Sequence, residues 1–246
     1  MARKAEIWYL GHSGFAVGIE DTLLVFDYYL DDSQGQPRCL ATGVIEPAEI
    51  RDKKVLVFSS HRHPDHFNPV ILSWREHIPH IQYFFSWDIP KKFHHLWIHF
   101  MKPYETYEED GLSIKTFKST DEGVAFLIAI KGMTLYHAGD LNWWHWEEED
   151  KAWNNNMAAR FKHEVELIKV HPIDVAILTT DPRQEEAELW GAKYFLSQVK
   201  VGTAFPMHFT DDPSIMKRIE AQKKTFPPLQ PLNTIQHRGQ RFTVEI

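Results

Sequence analysis

Apolar and polar positions alternate along the chain in short runs of strand length, and the clearest of these runs fall into two groups. The predicted strands of the two groups are Ala5–Leu10, Gly14–Glu20 and Thr22–Phe26, then Leu112–Phe117, Val124–Ile130 and Met133–Tyr136. Each group is followed by a mixture of strands and helices. This order predicts two similar α/β halves that pack as one domain over residues 1–246.

The segments that follow the two groups are more varied. The predicted strands among them are Val55–Phe58, Ile81–Phe85, Val175–Leu178, Val201–Phe205 and Arg241–Ile246. The predicted helices are Pro69–His77, Lys151–Val170, Glu185–Val199 and Pro213–Lys224. Recurring glycine and proline predict a loop over Asp31–Pro47, and Ile89–Met101 stays ambiguous. Val55–Phe58 is apolar at every position, which is typical of a strand covered on both faces.

The composition is that of an ordinary globular protein, with 43% hydrophobic and 25% charged residues. A net charge of −7 argues against a protein that grips phosphate backbones, so nucleic acid is not an expected partner. The longest uncharged apolar run, Gly123–Ile130, is too short for a membrane span, and the first residues lack the apolar stretch of a signal peptide. The single cysteine fits a reducing compartment. We therefore expect a cytoplasmic protein with a small-molecule substrate, and the sequence leaves open whether it is a homo-oligomer.

The stretch SSHRHPDHFNP, residues 59–69, crowds three histidines and an aspartate into six positions just after an apolar strand. Histidines this close repel one another when protonated and compete for partners when buried, whereas a bound cation removes both costs. His61 and His63 are two apart, so an extended backbone turns both to one face, and Pro64 ends the strand. Asp65 and His66 follow the bend, where they could address a second ion. The alternative is a histidine-rich surface loop.

Four apolar runs end in a residue that is able to bind a metal or a substrate: His61, Asp140, Asp181 and His208. In α/β proteins, ligands gather where strands end and loops begin. Because the four runs come from distant parts of the chain, together they indicate a functional site more strongly than the histidine-rich stretch does alone.

The histidine-rich stretch matches the H-x-H-x-D-H signature, and the chain resembles the metallo-β-lactamase superfamily over most of its length. LVFDYYL carries Asp27 where the family often has a structural aspartate after an early strand. LYHAGD, ending in Asp140, and FPMHF, with His208, are similar to its later metal-binding motifs. The opening LGHSGFAV resembles the branch that includes ascorbate-phosphate lactonase. The resemblance implies an αββα four-layer sandwich with a two-metal site along one edge.

The resemblance also implies a role for each metal ligand. One ion would be held by His61 and His63, the other by Asp65, His66 and His208, with Asp140 as the bridge. The implied chemistry is hydrolysis by a metal-activated water, and Asp65 could also act catalytically by orienting that water and handling its proton. We expect one or two divalent ions, with zinc as the first choice and manganese or iron as alternatives.

One ligand of the family pattern is missing. A further histidine usually lies some way before the bridging aspartate, but here that region reads TFKSTDEGVAF. Candidate replacements are Asp121, a hydroxyl of Ser119 or Thr120, His12 and His137. A carboxylate in place of imidazole would favour harder ions, and without any replacement the protein could hold a single metal.

Two further features could contact the substrate. NWWHWEEED follows Asp140 directly, so Trp143 and Trp144 could wall the pocket for a flat or apolar group, although packing against a neighbouring loop or subunit would also account for them. Arg183 could clamp a carboxylate or a phosphate, or be an ordinary surface arginine.

The predicted function is metal-dependent hydrolysis of a small ester, lactone or phosphoester. An RNA-processing nuclease of the same fold would require a basic surface or an RNA-gripping arm, and neither is visible in the sequence. A di-iron oxygen reductase of this fold typically has glutamate where this chain has His63. A non-catalytic metal-binding sensor is the alternative from a different class.

Overall fold

The computed structural model describes residues 3–209 and 212–246. The chain divides into two compact units: unit 1 runs as far as Lys102 and also contains Gln236–Ile246, and unit 2 is Pro103–Ile235. One domain over residues 1–246 stays a prediction. Within the described ranges, no helix has both the length and the apolar character that crossing a membrane requires.

Unit 1 is built on a seven-stranded sheet in the order β13-β1-β2-β3-β4-β5-β6. Its strands are β1 Lys4–Gly11, β2 Gly14–Ile19, β3 Thr22–Phe26, β4 Lys54–Ser59, β5 Ile81–Ser86, β6 Ile98–Met101 and β13 Arg241–Glu245. Pairing is antiparallel from β13 to β3 and parallel from β3 to β6. Because parallel strands end at the same edge, the residues that follow β3, β4 and β5 are neighbours.

One face of this sheet carries a core of buried apolar side chains, among them Trp74 and Tyr83. The segment predicted as the helix Pro69–His77 covers that face as a 3₁₀ helix over Pro69–Glu76, which begins where the Asn68 side chain accepts the Val70 N–H. The Tyr83 hydroxyl donates to the Ile71 carbonyl at 2.8 Å and ties the 3₁₀ helix to β5.

The connections of unit 1 contain only short helical segments. The predicted loop holds a 3₁₀ turn at Leu40–Thr42 and leads into α1, Pro47–Ile50. The ambiguous segment resolves into a 3₁₀ turn at Lys91–Phe93 and then strand β6.

Unit 2 repeats the same plan with a six-stranded sheet in the order β12-β11-β10-β9-β8-β7. Its strands are β7 Thr106–Glu109, β8 Leu112–Lys118, β9 Val124–Ile130, β10 Met133–His137, β11 Ile173–Thr179 and β12 Val201–Met207. Its helices are α2 Lys151–Ile168, α3 Trp190–Gln198 and α4 Ile215–Lys223. An antiparallel meander again leads into parallel strands, from β10 to β12, so the prediction of two similar α/β halves is confirmed.

Two predictions for unit 2 were wrong in detail. The helix predicted over Glu185–Val199 is a 3₁₀ turn at Pro182–Ala187 followed by α3, because Glu185 has a φ of 51° and breaks the helical path. Strand β7 was missed because its sequence, TYEE, is largely exposed and has no apolar alternation.

Candidate metal centre

In unit 1 the histidine-rich stretch forms a tight turn at the end of β4. The His66 and Phe67 N–H groups both donate to the His63 carbonyl at 3.0 Å, so the chain folds back on itself directly after Pro64. His61 and His66 are fully buried, and His61 Nε2 lies 3.0 Å from His63 Nδ1. The turn therefore brings the predicted ligands of this stretch together, with the His61 and His66 ring centroids 4.0 Å apart.

A buried carboxylate sets the orientation of two of these rings. Asp27, just beyond β3, accepts the Ser60 N–H at 2.7 Å, the Ser60 hydroxyl at 2.6 Å and His66 Nδ1 at 2.8 Å. An ionised carboxylate only accepts hydrogen bonds, so His66 Nδ1 carries the proton and Nε2 keeps its lone pair. Since the Ser60 hydroxyl donates to Asp27, it accepts from His61 Nδ1, which is 3.0 Å away, and His61 is fixed in the same tautomer. Both Nε2 atoms are thereby prepared to bind a metal ion.

Asp65 lies between two histidines. Its Oδ2 is 3.2 Å from His12 Nε2 and 4.0 Å from His66 Nε2. Partial burial raises the pKa of the Asp65 carboxyl, but the hydrogen bond with His12 and the nearby His66 outweigh it and hold the pKa well below its usual range. One ligand atom from each of the three residues lies within 4.8 Å of the other two, so they could hold a cation together.

In unit 2, Asp140 and His208 form a second group. His208 follows β12, and its Nε2 is 3.5 Å from Asp140 Oδ1. Its Nδ1 is 3.0 Å from Asp181 Oδ2, so Asp181 holds His208 as Asp27 holds His66. Burial raises the pKa of the Asp181 carboxyl. The hydrogen bonds with His208 and Arg183 lower this pKa by more than burial raises it, so the pKa lies well below its usual range.

Three residues of these two groups have strained backbones. His12, Asp27 and His208 have φ values of 52°, 43° and 68°, in the left-handed region that side chains with a Cβ rarely adopt. Such strain persists only where the surrounding structure enforces it, and it concentrates at functional sites.

The loop that carries Asp140 is held by Thr120 and Trp144. The Thr120 hydroxyl lies 2.7 Å from the Asn142 carbonyl and accepts the Asn142 N–H at 3.0 Å. The Trp144 indole N–H donates to the Asp140 carbonyl at 3.0 Å, and its ring meets His208 edge-on at 5.6 Å. Trp144 is only 5% exposed, so it packs against this group and does not line an open wall.

The four candidate replacements for the missing histidine lie in different surroundings. His12 joins Asp65 and His66. The Ser119 hydroxyl accepts the N–H of the exposed Asp121, and the Thr120 hydroxyl bonds to backbone. His137 is fully buried, and its Nδ1 accepts the Gly139 N–H at 3.2 Å.

Trp143 and Arg183 are the predicted substrate contacts that reach the surface. Trp143 lines a pocket of about 400 Å³, together with Trp146, Glu147 and Trp190 among others. The Lys162 ammonium lies 4.1 Å over the Trp143 ring. Arg183 donates through Nε to both carboxylate oxygens of Asp181 at 3.0 Å, although its side chain is 69% exposed.

Sequence reasoning missed Arg238, which anchors the loops around the unit 1 group. Its guanidinium donates to the carbonyls of Leu10 at 2.7 Å, Asp32 at 2.7 Å and Gly43 at 2.9 Å, and also to that of Leu30. No local pattern signals this role, because each partner is distant in sequence. The Asp27 and Asp181 contacts were likewise not predicted, although the resemblance marked Asp27 as a structural aspartate and Asp181 stood out at the end of an apolar run.

Comparisons with known proteins bear on the fold and the family. A family model described as Beta-lactamase superfamily domain matches residues 6–155. A search of curated proteins found no match. Igni18, a novel metallo hydrolase from the hyperthermophilic archaeon Ignicoccus hospitalis KIN4/I, is 18% identical, with a TM-score of 0.66 and 99% of both chains covered.

Two other solved structures are similar. The metallo-β-lactamase fold protein YhfI from Bacillus subtilis is 13% identical over 98% of this chain and 99% of that chain, with a TM-score of 0.63. CmlA, a diiron β-hydroxylase from Streptomyces venezuelae, is 12% identical, with a TM-score of 0.61; the match covers 100% of this chain and 55% of that chain. At these identities the likenesses concern the fold alone, and they confirm the fold class predicted from the sequence.

Proposed function

The chain belongs to the β-lactamase superfamily, and on that premise we propose that it is a metal-dependent hydrolase of a small ester, lactone or phosphoester. The matched residues, 6–155, include the whole histidine-rich stretch and Asp140. The expectation of a metal-dependent hydrolase agrees with both the family and the fold.

The strongest support is the arrangement of unit 1 around Asp27. Two buried imidazoles have their Nδ1 protons committed to Ser60 and Asp27, so their Nε2 lone pairs are fixed in place. His61 Nε2 faces His63 Nδ1 at 3.0 Å. Two nitrogens this close need a shared proton or a cation between them. Neutral imidazoles next to carboxylates fit zinc and similar divalent ions, so the residues present suit the group that the family implies.

We assign the ligands as the family pattern does. As the resemblance implies, His61 and His63 would hold one ion, Asp65, His66 and His208 would hold the other, and Asp140 would be a ligand of both. When bound, a divalent cation supplies Lewis acidity, which polarises a carbonyl or phosphoryl group and lowers the pKa of a coordinated water. Zinc is the first choice, with manganese or iron as alternatives, because the donor set mixes imidazole with carboxylate.

The chain's own residues orient the reaction and select the substrate. Asp65 is 45% exposed at its side chain and keeps its carboxylate form, so it can accept a proton from an attacking water and hold that water in position. Trp143 would contact an apolar part of the substrate from the pocket that it lines, and the exposed end of Arg183 would offer a positive charge to an anionic part. The LGHSGFAV opening extends the proposal to lactones, as in the ascorbate-phosphate lactonase branch. The cytoplasmic location and the small-molecule partner remain predictions.

The test combines metal content with turnover. Metal per chain is measured for the wild type, for Asp65→Ala and for Asp52→Ala, an exposed aspartate of unit 1 that serves as the matched control. Activity is then measured on a panel of esters, lactones and phosphodiesters. We expect the wild type and the control to hold metal and to hydrolyse at least one class, and Asp65→Ala to lose turnover. Metal without turnover of any class would favour the non-catalytic sensor, and no metal in any protein would refute both functions.

A further inference from the structure

We propose that His12 is a ligand of the ion held by Asp65 and His66, so that this position has one imidazole more than the family pattern supplies. The inference rests on the proposed function, because it concerns the metal centre of the same site. The two metal positions would then differ in their number of imidazole ligands. The position of His61 and His63 lacks the family's further histidine, whereas the position of Asp65 and His66 gains His12.

The first support is the convergence of three donor atoms. His12 Nε2 is 3.2 Å from Asp65 Oδ2, and Asp65 Oδ2 is 4.0 Å from His66 Nε2. Metal–ligand bonds of about 2.0–2.1 Å put two ligand atoms of one ion roughly 2.9–4.1 Å apart, for angles at the metal from 90° to 180°, so these separations suit a shared ion. The His12 and His66 rings meet edge-on, with centroids 5.4 Å apart and planes at 81°, so they are not stacked face to face.

The second support is the backbone that carries His12. His12 is 8% exposed and has a φ of 52°, and Gly11 before it has a φ of 115°. The Arg238 guanidinium donates to the Leu10 carbonyl, and the Gly239 N–H donates to the Tyr9 carbonyl at 2.7 Å. A turn in left-handed conformations, anchored on the strand side, holds this imidazole next to Asp65.

The third support is what the other candidate replacements do. The Ser119 hydroxyl accepts the Asp121 N–H, and the Thr120 hydroxyl holds the loop of Asp140 and Asn142. These groups serve the backbone of unit 2, whereas His12 lies beside two predicted ligands of its own unit. We therefore expect two unequal metal affinities, with the tighter ion at Asp65 and His66.

A purely structural role for His12, as the hydrogen-bond donor to Asp65, makes a different prediction. Glutamine places an amide N–H near the position of Nε2, so His12→Gln would restore a structural hydrogen bond but would not replace an imidazole ligand. His94→Gln is the matched control, because His94 lies in the same unit and its Nε2 bonds to the Ile89 carbonyl, away from Asp65.

The experiment titrates the full chain with Co²⁺ and with Zn²⁺ in competition with a chromophoric chelator. We expect two affinities in the wild type and in His94→Gln. In His12→Gln the tighter affinity should fall by about 100-fold or more, because removing the outer-shell partner of a ligand alone costs 10–100-fold. The visible absorption of the first Co²⁺ equivalent should also change, because its coordination changes.

A second measurement uses the wild type only, so it does not depend on the variant's folding. X-ray absorption of the protein with one equivalent of Zn²⁺ counts the imidazoles: we expect three, one more than the resemblance implies for this ion. A count of two, or a His12→Gln affinity within about twofold of the wild type with an unchanged Co²⁺ spectrum, would overturn the role of His12 and leave the proposed function intact. A wild type that binds neither metal would refute both.

Discussion

Replacing Asp27 with asparagine tests whether a buried carboxylate prepares His66 to bind metal. The wild-type side chain is 1% exposed and accepts three hydrogen bonds, at 2.7 Å and 2.6 Å from Ser60 and at 2.8 Å from His66 Nδ1. Asparagine has nearly the same shape and tolerates the φ of 43°, so the backbone need not change. Its amide oxygen can still accept the Ser60 N–H.

The second carboxylate oxygen, Oδ2, becomes an NH₂ group that faces both the Ser60 hydroxyl and His66 Nδ1. His66 Nδ1 must then accept a hydrogen bond, its proton moves to Nε2, and Nε2 loses the lone pair that would bind the ion. Mutating the partner that orients a metal-bound histidine typically costs 10–100-fold in affinity, which corresponds to about 1.4–2.7 kcal/mol. The loss of the two charge-assisted hydrogen bonds at Oδ2 should also lower the free energy of unfolding of the metal-free protein by about 1–3 kcal/mol, because the NH₂ group offsets them only in part.

Two assays separate these effects. Competition with a chromophoric chelator gives the Zn²⁺ affinity of the tighter position, and urea denaturation in the presence of a chelator gives the stability of the apo protein. Asp52→Asn is the control, since Asp52 lies in an exposed turn of the same unit. If Asp27→Asn binds Zn²⁺ within about twofold of the wild type while its apo stability falls, then Asp27 stabilises the fold without setting the tautomer of His66, and the reasoning is wrong.

Three further outcomes follow from the same structure. Arg238→Lys should lower the free energy of unfolding, measured by urea denaturation, by about 3 kcal/mol, because one ammonium cannot bond to all the carbonyls from Leu10 to Gly43 that the guanidinium reaches. The control Arg51→Lys, at an exposed position, should change it little. An unchanged urea midpoint for Arg238→Lys would contradict the anchoring role. Thr120→Val should lower the free energy of unfolding by about 1–3 kcal/mol in the same assay, since this isosteric change removes the hydroxyl that bonds to the Asn142 backbone. A decrease below about 0.5 kcal/mol, as for a neutral surface substitution, would show that the bond is dispensable. Metal at about 100 times its Kd stabilises the folded protein by about 2.7 kcal/mol, so its removal by a chelator should lower the melting temperature of the wild type by about 5–10 °C. The same treatment should leave the melting temperature of a variant that binds no metal unchanged.

The sequence was sufficient where the information is local. The apolar run before His61 and the alternation in the two β-rich groups predicted the strands that present the site, and the spacing of His61, His63, Asp65 and His66 predicted their convergence after a turn. These features depend on neighbours within a few residues, which backbone periodicity and the rigidity of Pro64 determine.

The contacts that complete the site are not local, and the sequence did not indicate the partners, although the resemblance marked Asp27 as a structural aspartate. Asp27 and His66 are 39 residues apart, and Arg238 is 228 residues from Leu10. Such pairs are brought together by the order of strands in the sheet, which one sequence does not specify. The positive φ of Glu185 was missed for a related reason: a non-glycine residue in that region is held there by its surroundings and not by its own preference.

The two units use the same device for their histidines, and this repetition has a consequence for how metal would be bound. Asp27 holds Nδ1 of His66 in unit 1, and Asp181 holds Nδ1 of His208 in unit 2, in each case from a position just after a parallel strand. His12, Asp27 and His208 all have left-handed backbones, each of which costs of order 1–3 kcal/mol. The surrounding structure must bear this cost, and imidazoles that it holds in one orientation lose less side-chain freedom on binding than those of a flexible loop would lose. Substitutions that loosen the Asp27 or Asp181 contacts should therefore weaken metal binding without touching a ligand.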